Sequence, residues 1–227
     1  MDPKTAKGLQ SFGIKTLQGY GLTETSPVIA VENDKYQKLG SIGPVLSNVE
    51  VEIDSPNEEG IGEIKVKGPS VMVGYYENQE ATDEVLKDGW FYTGDLGYQD
   101  SEGFLYITGR KKDVIVLKNG KNVFPEELET LINRLPFVEE SMVFAKESAA
   151  DLTLCAKVVY NLEELTSLFG DRPKEEYHEL VWQEIKNINK TLPQYKYIKE
   201  LMLTDEPLIK TTTRKVKRHE ELKKILG

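Results

Sequence analysis

Gly19-Tyr20-Gly21-Leu22-Thr23-Glu24-Thr25-Ser26-Pro27 gathers two glycines, three small hydroxyls and one carboxylate into nine residues. Glycines let backbone come close to an anionic ligand, Thr23 can donate to phosphate oxygens, and Glu24 can hold a hard cation such as Mg2+. A plain turn uses the same residue types. In Trp90-Phe91-Tyr92-Thr93-Gly94-Asp95-Leu96-Gly97 one carboxylate sits between glycines after an aromatic run. Asp95 there suits either a turn cap or an acceptor for the two hydroxyls of a ribose. Gly109-Arg110-Lys111-Lys112-Asp113 reads as a solvated linker or as a hinge with one nucleotide-contacting arginine. The stretch from Lys210 to His219 is strongly basic. Within it, a mobile lysine can stabilise negative charge developing on a phosphate or carboxylate. His178 and His219 have no partner at metal-ligand spacing and read as surface histidines, and Cys155 lies in an apolar run as a buried thiol.

These segments need elements to hold them. Thr5 to Gly13 reads as a short helix or loop and Ile14 to Leu17 as a strand feeding the Gly19 turn, as at the edge of an α/β sheet. From about Gly40 to Thr108 the signals are short strands with glycine turns: Val49 to Ile53, Ile61 to Lys67 and Phe104 to Thr108. Such a series predicts a small β-barrel or β-layer. After Gly109 the texture changes. Val114 to Leu117 and Asn119-Gly120 predict a hairpin with a tight primed turn. Pro125, Glu126 and Glu127 start a helix carrying Leu128, Leu131, Ile132 and Leu135 on one face. Strands at Ser141 to Ala145 and Leu152 to Tyr160 precede a helix over residues 173–189, and a short helix ends the chain near 216–226.

The fold class expected is therefore α+β: the end of an α/β subdomain over residues 1–24, a β-barrel-like subdomain over 25–108, and a separate C-terminal α+β domain over 109–227. Among 227 residues, 38 are acidic, 29 basic and 39% apolar, which excludes a disordered chain. The acidic excess lies wholly within residues 1–100, where 17 acidic face 8 basic side chains; the remainder carries 21 of each. Without a basic excess or an aromatic-interleaved basic stripe, nucleic acid is not an expected partner. One cysteine excludes an intrachain disulfide and points to a reducing compartment. No apolar run reaches the length needed to span a bilayer, so the expected location is cytoplasmic, with peripheral membrane contact left open.

In this order and spacing, the segments resemble the adenylate-forming (AMP-binding) superfamily, nearest to its long-chain fatty-acid-CoA ligases, over essentially the whole chain. Tyr20-Gly21-Leu22-Thr23-Glu24 is similar to the family's Tyr-Gly-x-Thr-Glu. The resemblance implies that Tyr20 stacks near adenine beside Gly21, that Thr23 touches the α-phosphate and that Glu24 binds Mg2+. It implies that Asp95 and Arg110 bind the ribose, that Lys112 is the hinge of a mobile C-terminal domain, that Gly120 to Glu129 faces the thioester-forming site, and that Lys215 promotes adenylation. The implied co-substrates are a fatty acid, ATP and coenzyme A, with Mg2+.

The resemblance departs at Arg214, where many members have glycine. Either the loop takes an ordinary conformation here, or Lys215 does not hold the motif's position; Thr211, Val216 and Arg218 keep the register, and Lys215 is retained. The family's phosphate loop ending in Pro-Lys and its acyl pocket are not found ahead of Tyr20. The sequence thus suggests a C-terminal fragment of such a ligase, separated from its own N-terminal region and inactive alone. The alternative is a non-catalytic nucleotide-binding or regulatory module of the same fold.

Overall fold

The computed structural model describes residues 1–147, 152–212 and 214–227. They divide into two compact units, Met1–Lys112 and Asp113–Gly227, whereas the sequence texture places the change near Gly109. In chain order the first unit contains α1 (Pro3–Ser11), β1 (Gly19–Gly21), β2 (Val28–Val31), β3 (Glu50–Asp54), β4 (Gly62–Lys67), α2 (Gln79–Val85), β5 (Leu86–Lys87), β6 (Trp90–Gln99) and β7 (Leu105–Arg110). The second contains β8 (Ile115–Val116), β9 (Asn122–Val123), α3 (Pro125–Ile132), β10 (Val138–Glu147), β11 (Leu152–Tyr160), α4 (Leu162–Phe169), α5 (Lys174–Asn189), β12 (Glu200–Thr204) and α6 (Arg218–Leu226).

The α+β class stands, but its subdivision of the first unit does not. β3, β4 and β6 form an antiparallel meander, and β5 and β7 share the far side of β6, one at each end. Bulges at Glu63/Lys65 and Leu96/Gly97 bend the sheet. Among the described residues β3 keeps a free edge, so no barrel closes. Strand count and glycine turns signalled β structure correctly; closure depends on which edges meet, which those signals do not carry. The α/β sheet edge expected over residues 1–24 is replaced by a two-stranded antiparallel ladder of β1 and β2, and Ile14 to Leu17 is not a strand.

Burial along β6 alternates, so that Phe91, Thr93 and Asp95 point inward while Trp90, Tyr92 and Gly94 lie nearer the surface. That alternation aims Asp95 into the unit. Ile29, Ala30, Val49, Ile64, Val66 and Leu105 form the core behind it.

In the second unit β11 is central, antiparallel to β10 and parallel to β12. Its residues from Leu154 to Tyr160 are all buried, because both faces are covered. Leu154, Ala156 and Val158 pack with Leu128, Ile132 and Ile185, while Cys155 and Val159 pack with Leu208, Val216 and Leu222. The hairpin between β8 and β9 corrects the primed-turn expectation. Only Gly120 is left-handed, and Leu117 accepts from Gly120 and donates to Lys121, which makes a three-residue loop with glycine at the bulge. No helix of the described residues is long and apolar enough to cross a membrane.

Candidate nucleotide site

Three segments far apart in sequence meet at Asp95. The Tyr20 hydroxyl donates to Asp95 Oδ2 at 2.6 Å, and Arg110 Nη1 lies 2.9 Å from Asp95 Oδ1. Asp95 and Arg110 are register partners on β6 and β7, so the arginine follows from strand pairing. Asp95 is only 6% exposed, and its own N–H donates to Thr93 Oγ1, which donates to the Ile64 carbonyl at 2.7 Å. Burial, the Asp95 charge and its hydrogen bond push the Tyr20 phenol far above its ordinary pKa. Tyr20 therefore stays a proton donor throughout the physiological range.

A second carboxylate braces the same strand. Glu63 Oε1 accepts from the Gly94 N–H at 3.0 Å, and Glu63 Oε2 pairs with Lys111 Nζ at 2.7 Å. Gly94 has φ +70°, a conformation that glycine adopts without a side-chain penalty. The expected hinge residue, Lys112, follows on the short 3-10 turn Lys111–Asp113.

The turn that carries Thr23 and Glu24 is built on Thr25. Its buried hydroxyl accepts from Leu22 N–H at 3.0 Å and donates toward the carbonyls of Leu22 and Pro27. That folds the chain so tightly that a Cβ at Gly21 would lie 1.6 Å from the Pro27 carbonyl oxygen. The turn leaves Thr23 exposed and Glu24 half-exposed. Glu24 Oε1 accepts from the Tyr75 hydroxyl at 3.0 Å. Among the described residues no protein group bonds Glu24 Oε2. One such carboxylate beside a hydroxyl-rich turn fits Mg2+, which keeps to one or two carboxylates plus substrate phosphates. Among the described residues there is no cluster of three or more His, Cys, Asp or Glu that would cage a metal by itself. Tyr75 has no signal in the sequence that ties it to Glu24.

In the second unit Lys215 is exposed on the loop between Lys210 and Val216, whose ends bridge. Thr211 Oγ1 accepts from Lys215 N–H at 3.1 Å, and Thr211 N–H donates to the Lys215 carbonyl at 2.8 Å. Thr213 lies outside the described residues. Arg214 has φ +61°, so the arginine occupies the left-handed conformation that glycine would favour. The loop is therefore not ordinary here; it keeps the glycine-type backbone and bears its cost.

Two buried charge networks hold this loop's stem. Lys157 Nζ pairs with Glu221 Oε1 at 2.6 Å, and Glu221 Oε2 accepts from Ile209 N–H at 2.9 Å. Arg218 binds both oxygens of Glu129, at 2.7 and 2.5 Å, and donates to the Val143 carbonyl. Burial raises the pKa of Glu129 despite that arginine. Neither network was singled out by sequence reasoning, although Arg218 and Glu129 lie in segments that were. His178 is half-buried on α5 near the Leu201 carbonyl, and His219 is exposed. Burial, then the nearby Glu200 charge, pushes the Cys155 thiol up to about 11.

The family model described as "AMP-binding enzyme" matches residues 1–76, and "AMP-binding enzyme C-terminal domain" matches residues 112–225. A 2-succinylbenzoate–CoA ligase of Geobacillus kaustophilus is 43% identical over 60% of this chain and 29% of its own. A long-chain-fatty-acid–CoA ligase of Salmonella typhimurium is 44% identical over 55% of this chain and 23% of its own. The structure of o-succinylbenzoate CoA synthetase from Bacillus subtilis, solved with its acyl-adenylate, superposes with TM-score 0.81 at 28% identity, covering 96% of this chain and 43% of that one. The chain thus spans less than half the length of each of these relatives.

These matches correct several expectations. A C-terminal fragment separated from its N-terminal region gives way to a chain with AMP-binding sequence over residues 1–76 followed by the C-terminal domain. With 96% of the chain superposing on an adenylate-forming ligase, three further readings are set aside: inactivity alone, the lack of a phosphate loop and acyl pocket, and the non-catalytic module. Nor does the fatty-acid assignment stand alone, since the relatives are named for different acids. From Tyr20 in the first unit to the second unit's match over residues 112–225, this chain belongs to the AMP-binding enzyme family.

Proposed function

We propose that this chain binds the AMP portion of ATP in an ATP-dependent carboxylate–CoA ligase reaction. The observation that carries the proposal is the Tyr20–Asp95–Arg110 assembly in a member of the AMP-binding family. Asp95 retains lone pairs on both oxygens beyond those used by Tyr20 and Arg110, which suits a ribose diol. Tyr20 and Arg110 fix that carboxylate before the nucleotide arrives, so little ordering is required at binding.

In the first half-reaction a carboxylate oxygen bonds to the α-phosphorus and the bond to the β-phosphate oxygen breaks, giving acyl-adenylate and pyrophosphate. Thr23 donates to the α-phosphate, and Lys215 offers an ammonium to the charge that develops there. Glu24 would hold Mg2+, which would supply charge neutralisation on the phosphate oxygens. In the second half-reaction the CoA thiol gives its proton to solvent, its sulfur bonds to the acyl carbon, and the bond from that carbon to the AMP phosphate oxygen breaks, releasing AMP. The second unit is proposed to turn about Lys112 between the halves, a reading supported by the division of the units after that residue. A fatty acid is one of the acids for which the relatives are named, and a cytoplasmic location belongs to the same reading.

Calorimetric titration of the whole chain with AMP, and with ATP plus Mg2+, tests the proposal. Saturable AMP binding is expected, weakened about 10- to 100-fold by Asp95→Ala through loss of charge-assisted hydrogen bonds. An absence of heat from folded chain at millimolar AMP, or an Asp95→Ala variant that binds as well as the parent, refutes it.

A further inference from the structure

The segment from Met72 to Tyr75 is tied at both ends. At one end Met72 N–H donates to the Glu24 carbonyl at 2.8 Å, and the Tyr75 hydroxyl donates to the Glu24 side chain. At the other, Tyr75 N–H donates to Thr82 Oγ1 at 2.9 Å, and Thr82 Oγ1 donates to the Asn78 carbonyl at 2.8 Å. Asn78 caps α2 by accepting from Ala81 N–H. Between the ties, Val73 is 100% exposed, and a Cβ on Gly74 would lie 3.0 Å from the Thr82 side chain. Hydrogen bonds hold this strap in place, and two of them end on one residue of the turn built on Thr25.

We propose that Tyr75 is a positioning residue for Glu24. A glutamate side chain on an open turn samples several rotamers, and ordering it costs entropy each time it takes a ligand. The Tyr75 hydroxyl fixes that carboxylate through Oε1 and leaves Oε2 for a divalent cation. The cap on α2 transmits its rigidity through Thr82 to Tyr75, so the carboxylate is anchored to a helix start although it stands on a turn. The inference rests on the reading of Glu24 as the cation's protein ligand.

The test follows backbone amide resonances of the whole chain during titration with Mn2+ alone, in the parent and in Tyr75→Phe and Glu24→Gln variants. The expected result is paramagnetic broadening at residues 23–25 in the parent and its loss in Glu24→Gln. Tyr75→Phe should need about three- to tenfold more Mn2+ for the same broadening, the equivalent of one ordinary intramolecular hydrogen bond. A merely structural role for the strap would shift resonances without changing that concentration. Tyr75→Phe broadening at the parent's concentration overturns this inference while the Glu24 reading stands. A parent indistinguishable from Glu24→Gln overturns both.

Discussion

Removing Lys157 leaves Glu221 buried without its cation, and the resulting instability should depend on pH in a defined sense. The Glu221 side chain is 0% exposed and that of Lys157 7%, so Lys157→Met swaps a charged stem for an apolar one of similar shape inside the packed unit. In the parent, burial raises the Glu221 pKa, but the Lys157 hydrogen bond, the Ile209 N–H and the lysine's charge outweigh it and leave the pKa lowered. In the variant burial dominates and the folded-state pKa rises above the unfolded value. The penalty has a ceiling, because the carboxyl can take up a proton. At about 1.4 kcal/mol per pH unit and an unfolded pKa near ~4.3, protonation costs about 4 kcal/mol at pH 7 and about 1 kcal/mol at pH 5. Breaking a buried pair costs roughly 3–5 kcal/mol at neutral pH, so the ceiling applies. A raised carboxyl pKa means that the folded state binds more protons, so the variant's deficit shrinks as pH falls toward 5. Amide exchange of β10 and β11 in parent and variant at the two pH values reads the deficit within the second unit. Equal deficits at pH 7 and pH 5 would refute the assignment of Glu221 as a carboxylate kept charged by Lys157.

Arg214→Gly should stabilise the loop around Lys215 by about 1 kcal/mol, since the left-handed backbone no longer carries a Cβ. Slower amide exchange at residues 214–216 checks this, and faster exchange counts against it. Cys155 should resist a disulfide-exchange reagent at pH 8 while the chain is folded and react once it is unfolded, because its thiol titrates at about 11 in a buried strand. Labelling of the folded chain at the rate of a free thiol would contradict that.

Periodicity and caps made most of the second unit legible. Pro125 at the first helical turn begins α3, and the apolar run from Leu152 to Tyr160 is β11. The strand β12 was missed because its side chains alternate weakly at an edge and its partner lies far earlier in the chain. Two helices were also overlooked, yet Asn78 and Asn161 each cap one with a side-chain acceptor, a signal the sequence did carry. In the site, Asp95 and Arg110 could be picked out by residue type and setting, whereas Tyr20 came only through the family resemblance. Their convergence could not be picked out, since Tyr20 reaches Asp95 across 75 positions of chain. The Tyr75 contact with Glu24 and the Lys157 pair with Glu221 belong to the same category. Each joins residues whose neighbours in sequence give no hint of the other.

The parallel pairing of β11 with β12 has a kinetic consequence. Four residues separate β10 from β11, whereas 39 separate β11 from β12. With ends so much farther apart, closing the second pairing costs about 2 kcal/mol more in chain entropy than closing the first, before any contact repays it. The β10–β11 hairpin should therefore assemble early, with β12 arriving last as α4 and α5 settle. Substitutions at Leu201 or Leu203 should then accelerate unfolding while leaving the refolding rate nearly untouched, and substitutions at Val143 or Ala156 should slow refolding.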